Sequence, residues 1–281
     1  MGTVCVEIAV RDDLRLLDAL DSLGAQTRPP DRVLIAAAAD TPESLLERAR
    51  HRLTGIPVDA VRFSGGVVDA RAGALALLRD DTTVFLDADE RAPPEWLARI
   101  VQPVETGAAA FAGGPTRPWR APTTSIERYS VLLEESIYSD LVPQRVAYVP
   151  LQNTAWRTSV LRSLGFDPRI PYAEDHDLES RAARSGARGV YLPDAYVFHD
   201  RSGEASFLGW ARKRYRYLVA MAMSLMKNGE LRGRLGERRR PVPHPLRFVE
   251  SAMKPFALVH ASIRWRRVRR QPVAAVDVPP E

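Results

Sequence analysis

The sequence predicts an α/β domain with a mostly parallel central sheet and helices on both faces, continued by a helical, basic C-terminal extension. Strand-like apolar runs and helical apolar spacings alternate at short intervals from Val4 to Leu86, the pattern of parallel strands joined by crossover helices. At 281 residues the chain has room for one large domain with appendages. Charge is spread unevenly: residues 211–270 carry 17 Lys and Arg against Glu230, Glu237 and Glu250, a local +14 within a total of +5, so the remainder sums to −9. Such asymmetry points either to a basic appendage that meets something anionic or to a solvated arginine-rich face.

Val4 to Val10 reads as a largely buried strand in which Glu7 is out of place. Leu16, Leu17, Leu20 and Leu23 have helical spacing within Leu14 to Leu23, and Thr27-Arg28-Pro29-Pro30 breaks that helix. Arg32 to Ala36 is the second strand, Pro42 to Leu53 an amphipathic helix and Val58 to Phe63 the third strand. Ser64-Gly65-Gly66 turns the chain into a helix over Asp69–Leu78. Thr82 to Leu86 is the fourth strand, ending on Asp87-Ala88-Asp89. Pro93 and Pro94 open a helix containing Trp96, Leu97 and Ile100; Ala108 to Phe111 is a short strand, and Ile126, Tyr129, Leu133 and Ile137 mark a helix face. Ala147–Val149, Gly189–Leu192 and Ala195–Phe198 are strand candidates, the last ending at His199. Ser159–Leu164 and Asp177–Arg184 are helical, and from about Phe207 the pattern is helical and basic. Domain limits follow at 1–205, 206–270 and a disordered tail over 271–281.

Composition is that of an ordinary globule, 45% hydrophobic and 27% charged, without an internal repeat. The single cysteine, Cys5, lies in an apolar run, which excludes an internal disulfide and fits a reducing, cytoplasmic setting. No basic region precedes the first apolar stretch, so no signal peptide is expected. The longest late apolar run, Tyr217 to Met226, is about half of what a bilayer span needs, so no membrane crossing is expected.

Three groups of residues carry chemistry. In such sheets ligands bind at the carboxyl ends of the strands, where Asp87 and Asp89 fall. Two carboxylates one residue apart on that turn offer oxygens to Mg²⁺ or Mn²⁺, which keep other positions for substrate phosphates. Glu174-Asp175-His176-Asp177 stands before a helix, where carboxylates also simply favour the helix N-terminus. His199 ends a strand, a place for a ligand or for a structural histidine.

Taken in order, these segments resemble family 2 glycosyltransferases. Val4 to Asp12 is similar to that family's first strand and turn, and Ala25-Gln26-Thr27-Arg28-Pro29-Pro30-Asp31-Arg32-Val33 to its "AQT-x-P-P-x-x-V" connection. Gly66 to Arg71 resembles the glycine-to-"AR" segment, and Phe85 to Asp89 the "FLDAD" strand. Gly165 to Arg169 with Glu174 to Leu178 resembles "GFD-x-R…ED-x-DL", and Tyr191 to His199 "Y-x-P-x-A-x-V-x-H". The likeness spans roughly residues 4–200.

The resemblance implies the GT-A nucleotide-diphospho-sugar transferase fold and inverting transfer of a sugar to an acceptor hydroxyl, and the lack of a Q-x-x-R-W segment after Asp175 and of membrane spans points to non-processive transfer. It implies donor contacts from Ala9, Arg11, Asp40, Arg71, Asp87, Ala88 and Asp89, a cation (Mn²⁺ or Mg²⁺) on Asp89 and His199, and Asp175 as catalytic base. The implied donor is a nucleotide diphosphate sugar, a UDP-sugar first. GDP- and dTDP-sugars stay open because the family's acidic base-reading turn is replaced by Ala36-Ala37-Ala38-Ala39-Asp40. The acceptor is a small molecule or a lipid-linked glycan, with Gly113–Trp119 and Leu151–Trp156 as positional candidates for contacts. The alanine turn also leaves a rival: a non-catalytic binding or scaffold subunit with a degenerate donor site. For the basic segment 211–270, cytoplasmic contact with an anionic membrane surface, cover over the site and nucleic-acid binding compete; the last is disfavoured because no nucleic-acid fold signature accompanies it.

Overall fold

A computed structural model describes residues 2–138, 149–202, 206–231 and 242–271. Its strands are β1 (Val4–Val10), β2 (Arg32–Ala37), β3 (Val58–Arg62), β4 (Thr82–Leu86), β5 (Glu90–Arg91), β6 (Phe111–Gly113), β7 (Thr116–Pro118), β8 (Asn153–Arg157), β9 (Gly189–Tyr191) and β10 (Val197–His199). The helices are α1 (Leu16–Gly24), α2 (Glu43–Arg50), α3 (Val67–Ala74), α4 (Trp96–Glu105), α5 (Ser125–Tyr138), α6 (Thr158–Leu164), α7 (Glu174–Arg184), α8 (Phe207–Asn228) and α9 (Leu246–Val268).

Seven strands form the central sheet in the order β3-β2-β1-β4-β8-β6-β9. The first four run parallel, and β8 is antiparallel to both neighbours. Because side chains alternate along a strand, β1 feeds two cores. Val4, Val6, Ile8 and Val10 pack with α1, α2 and α4; Cys5 and Ala9 pack with α3, α6 and α7. A fully buried side chain of Val or Leu size stabilises by about 1.5–3 kcal/mol, and both faces of this strand are covered. The mostly parallel α/β architecture expected from the alternation is therefore present.

A second sheet, β5-β10-β7, closes over the carboxyl edge of the first. In its register His199 pairs with Glu90 and Phe198 with Arg91. This short pairing joins residues more than a hundred positions apart.

Several elements differ from expectation. The strand foreseen over Ala108–Phe111 forms over Phe111–Gly113, and α7 starts three residues early, at Glu174. Of the strand foreseen at Ala147–Val149, residues 147 and 148 lie outside the described residues and Val149 is not in a strand. No expectation covered β8, which carries the polar residues Asn153 and Thr154. Both are fully buried. Asn153 accepts from Trp96 Nε1 at 2.7 Å and donates to the carbonyls of Pro115 and Ala195, so its polarity is internally satisfied. Trp156 is buried and stacked on Phe111 at 4.4 Å, so it is a core residue and not an acceptor contact.

The basic helices are packed onto the domain. Lys227 of α8 bridges Asp167 and Asp177 at 2.7 and 2.8 Å, and Ser224 meets His176 Nδ1 at 3.0 Å. Gly229, at φ 73°, ends α8 in the left-handed conformation that suits glycine. Glu250 of α9 takes Arg214 in a bidentate pair and the Tyr129 hydroxyl at 2.8 Å. Contacts advance together along both helices, from Arg214–Glu250 to Met226–Ser262, so α8 and α9 run side by side in the same direction. No helix among the described residues is long and apolar enough to cross a membrane. The tail expected from 271 falls, beyond Gln271, outside the described residues.

Candidate active site

The parallel strands β1, β2 and β4 end together at one edge, which puts Ala9, the alanine turn and Asp87-Ala88-Asp89 side by side. Ala36, Ala37 and Ala38 are buried, while Asp40 is exposed and accepts from Arg11 Nε at 2.9 Å. Arg11 and Asp40 are thus brought together as one exposed pair.

Asp87 faces inward. Its carboxylate lies 3.1 Å from the guanidinium of Arg71, which is buried between β1, β4 and α7. The same guanidinium lies 3.3 Å from Glu174 and 3.5 Å from Glu7. A single cation therefore ties the start of α7, which bears Asp175, to the end of β4. Burial pushes Glu7 up to about 7 although Arg71 opposes it. Burial, reinforced by the neighbouring Asp175, also pushes Glu174 up to about 7. Asp175 itself is half-buried, and its Oδ1 accepts from the His176 amide at 2.7 Å.

Asp89 faces the second sheet. Its Oδ2 lies 3.3 Å from Nε2 of His199 and 3.5 Å from Arg15. The Asp200 amide donates to the Asp89 carbonyl at 2.9 Å, fastening β10 to the turn. Burial favours the neutral forms of Asp89 and His199, but their mutual attraction outweighs it. Asp89 is held below the ordinary carboxylate range and His199 above its usual value. Arg15 and Lys213 of α8 add to the positive field on Asp89.

The other ring nitrogen of His199 faces carboxylates: Glu134 at 3.6 Å and Glu90 at 3.8 Å. Glu134 is itself fixed by Arg201 and by Thr116 Oγ1 at 2.8 Å. Burial would raise Glu134, but Arg201 outweighs it and holds the carboxyl down at about 2. A carboxylate behind the imidazole orients the ring and leaves Nε2 toward Asp89.

Among the described residues no group of three or more His, Cys, Asp or Glu is arranged to hold a metal ion. Asp89 Oδ2 and His199 Nε2 are an oxygen–nitrogen pair at a spacing that two adjacent ligands of one cation take up, and both donors suit Mn²⁺ or Mg²⁺. The remaining positions would belong to substrate oxygens and water.

No sequence expectation named Arg15, Glu90, Glu134 or Arg201. Glu7 carried a visible signal, a charge inside an apolar strand, and Glu90 followed the aspartate pair directly. Glu134 and Arg201 carried none, since their meeting depends on how α5 lies against β10.

This geometry, an acid-rich turn at the carboxyl edge of a parallel sheet closed by a histidine-bearing strand, defines the GT-A architecture. The sequence model described as "Glycosyl transferase family group 2" matches residues 83–270, and the chain belongs to that family. The match runs through α8 and α9. A curated relative, the pre-mycofactocin glycosyltransferase of Mycobacterium tuberculosis, is 30% identical over 143 residues. That overlap covers 49% of this chain but 30% of the relative, so the chain spans less than a third of the curated proteins it matches. Among solved structures, a Pyrobaculum calidifontis mannosyltransferase, PcManGT, in complex with GDP-Man and Mn²⁺ is similar with a TM-score of 0.63 at 19% identity. Its likeness covers 97% of this chain and 76% of that one. The 1–349 portion of S. aureus TarS in complex with UDP-GlcNAc is similar with a TM-score of 0.55 at 15% identity, covering 98% and 95%.

Proposed function

We propose that this chain transfers a sugar from a nucleoside diphosphate sugar to an acceptor hydroxyl, one addition at a time and with inversion at the anomeric carbon. The observation that carries the reading is the meeting of Asp89 and His199 at 3.3 Å beside a turn whose other carboxylate, Asp87, is tied through Arg71 to the helix bearing Asp175. Asp175 takes the proton of the acceptor hydroxyl as its oxygen bonds to the anomeric carbon, and the bond to the diphosphate breaks on the opposite face. Asp87 and Ala88 meet the donor at the end of β4; Ala9, with Arg11 and Asp40, lines the neighbouring strand ends. Arg71 holds Asp87 and Glu174 in place. Asp89 and His199 would hold Mn²⁺ or Mg²⁺, which would supply neutralising charge to the departing diphosphate. Arg15 and Lys213 add positive charge on the same side.

The ligands of the structural relatives, GDP-Man with Mn²⁺ and UDP-GlcNAc, support a nucleotide-sugar donor and a cation. The acceptor belongs to the small-molecule or lipid-linked class. Calorimetry with UDP, GDP and dTDP, with and without Mn²⁺, tests the reading. Metal-dependent binding of one nucleotide is expected. If none binds in either condition, the transferase reading fails and the alanine turn marks a degenerate, scaffold-like donor site.

A further inference from the structure

We propose that the outer face of α9 rests on the surface of an anionic lipid bilayer. A surface helix buries one stripe and turns polar residues outward. On α9 both sides are apolar. Glu250, Ala257 and Ala261 mark the buried side, where Ala257 and Ala261 pack against Val219, Ala220 and Met223 of α8. On the opposite side Phe248 is 76% exposed, Phe256 70%, Val259 61% and Ile263 50%. At 100° per residue these four fall within a sector of about 80° and extend along about 22 Å of helix. Arg266 and Arg270 continue the same sector, with Arg264, Arg267 and Arg269 beside it, all exposed.

Charge chooses the occupant. No Asp or Glu occurs in α8, and the one in α9, Glu250, is buried against Arg214 and Tyr129. Among the described residues of these helices the face therefore offers apolar side chains and cations with no acidic neighbour on the outer side, which is what the headgroup–acyl boundary of an anionic membrane takes. A second copy of the chain would bring the same positive face, which opposes self-pairing. Nucleic acid gains nothing from Val259 and Ile263. Phe248 and Phe256 present ring faces, but the aliphatic residues of the same stripe give bases nothing to stack on, Trp210 is buried against Tyr129, and Trp265 lies under Arg169. Lys213, on α8, acts on Asp89, so the outer stripe of α9 is a separate surface from the site.

The test is flotation of the whole protein with phosphatidylcholine vesicles with and without phosphatidylglycerol, at low and high salt. Its readout is binding, so it stands apart from the transferase reading. Binding to the phosphatidylglycerol vesicles is expected, weakened by salt. Arg266→Ser and Arg267→Ser should each cost about fivefold in partitioning. Phe248→Ser with Phe256→Ser should abolish binding while circular dichroism and melting stay unchanged, since both side chains lie outside the core. In Phe256→Trp, fluorescence should be quenched by lipids brominated along the acyl chain. Four outcomes would overturn the proposal: no binding of the intact chain, full binding by the serine pair, an unquenched tryptophan, or salt-sensitive binding to an oligonucleotide in place of vesicles.

Discussion

Asp87 and Asp89 are separated by one alanine, yet they live in different electrostatic surroundings. Asp87 answers to Arg71, a buried guanidinium already shared with Glu7 and Glu174. Asp89 answers to His199 and Arg15, both partly accessible. Removing one partner of a buried pair leaves an uncompensated charge, whereas a partly solvated pair can exchange partners at modest cost. Two carboxylates that look equivalent in sequence are therefore unlike in the fold: one is tied to a buried guanidinium, and the other is the one we propose as the cation ligand.

The contrast can be challenged by experiment, starting with the largest effect. On the Asp87 side, Asp175→Asn should lower turnover by roughly 10²–10⁴-fold, the usual contribution of a general base, with donor affinity nearly intact by calorimetry. Lost donor binding with retained chemistry would remove Asp175 from that role. Arg71→Met should destabilise the fold by about 3–5 kcal/mol in urea unfolding, because Glu7 and Glu174 lose their cation. An unchanged midpoint would mean that the hub is not structural, and the contrast would fall.

On the Asp89 side, His199→Ala should leave stability near that of the parent but raise the Mn²⁺ needed for nucleotide binding by about 10–100-fold. Glu134→Gln, which acts through the ring, should raise it by about tenfold. Identical metal titrations would take both residues out of the site.

The smallest expected effect concerns pH. Glu7 is raised to about 7 in the folded state from an ordinary 4.5, so the folded protein binds a proton that the unfolded chain has released. That contribution is present below the unfolded value and is lost as pH rises through about 7. Stability of the parent should decline across this window, and Glu7→Gln should flatten the slope by about 1 kcal/mol per pH unit. A variant that declines as steeply as the parent would place the cause elsewhere.

Most of the fold was readable along the chain. β1, β2 and β4 announced themselves as apolar runs, since parallel strands covered on both faces need no alternation. The strand β8 did not, because Asn153 finds its partners only in the assembled core. The site was half readable. Asp87, Asp89, Asp175 and His199 stood out by place and by resemblance, whereas Glu134 and Arg201 had no spacing to mark them.

Local order dictated the alternation of strands and helices, the family, and the positions of the conspicuous acids, because periodicity and turn chemistry act over a few residues. The pairing of β10 with β5, the charge-sharing around Arg71 and the outward stripe of α9 were decided by packing. Each depends on which side chains meet after the chain has closed on itself, and burial then sets how strongly their charges act.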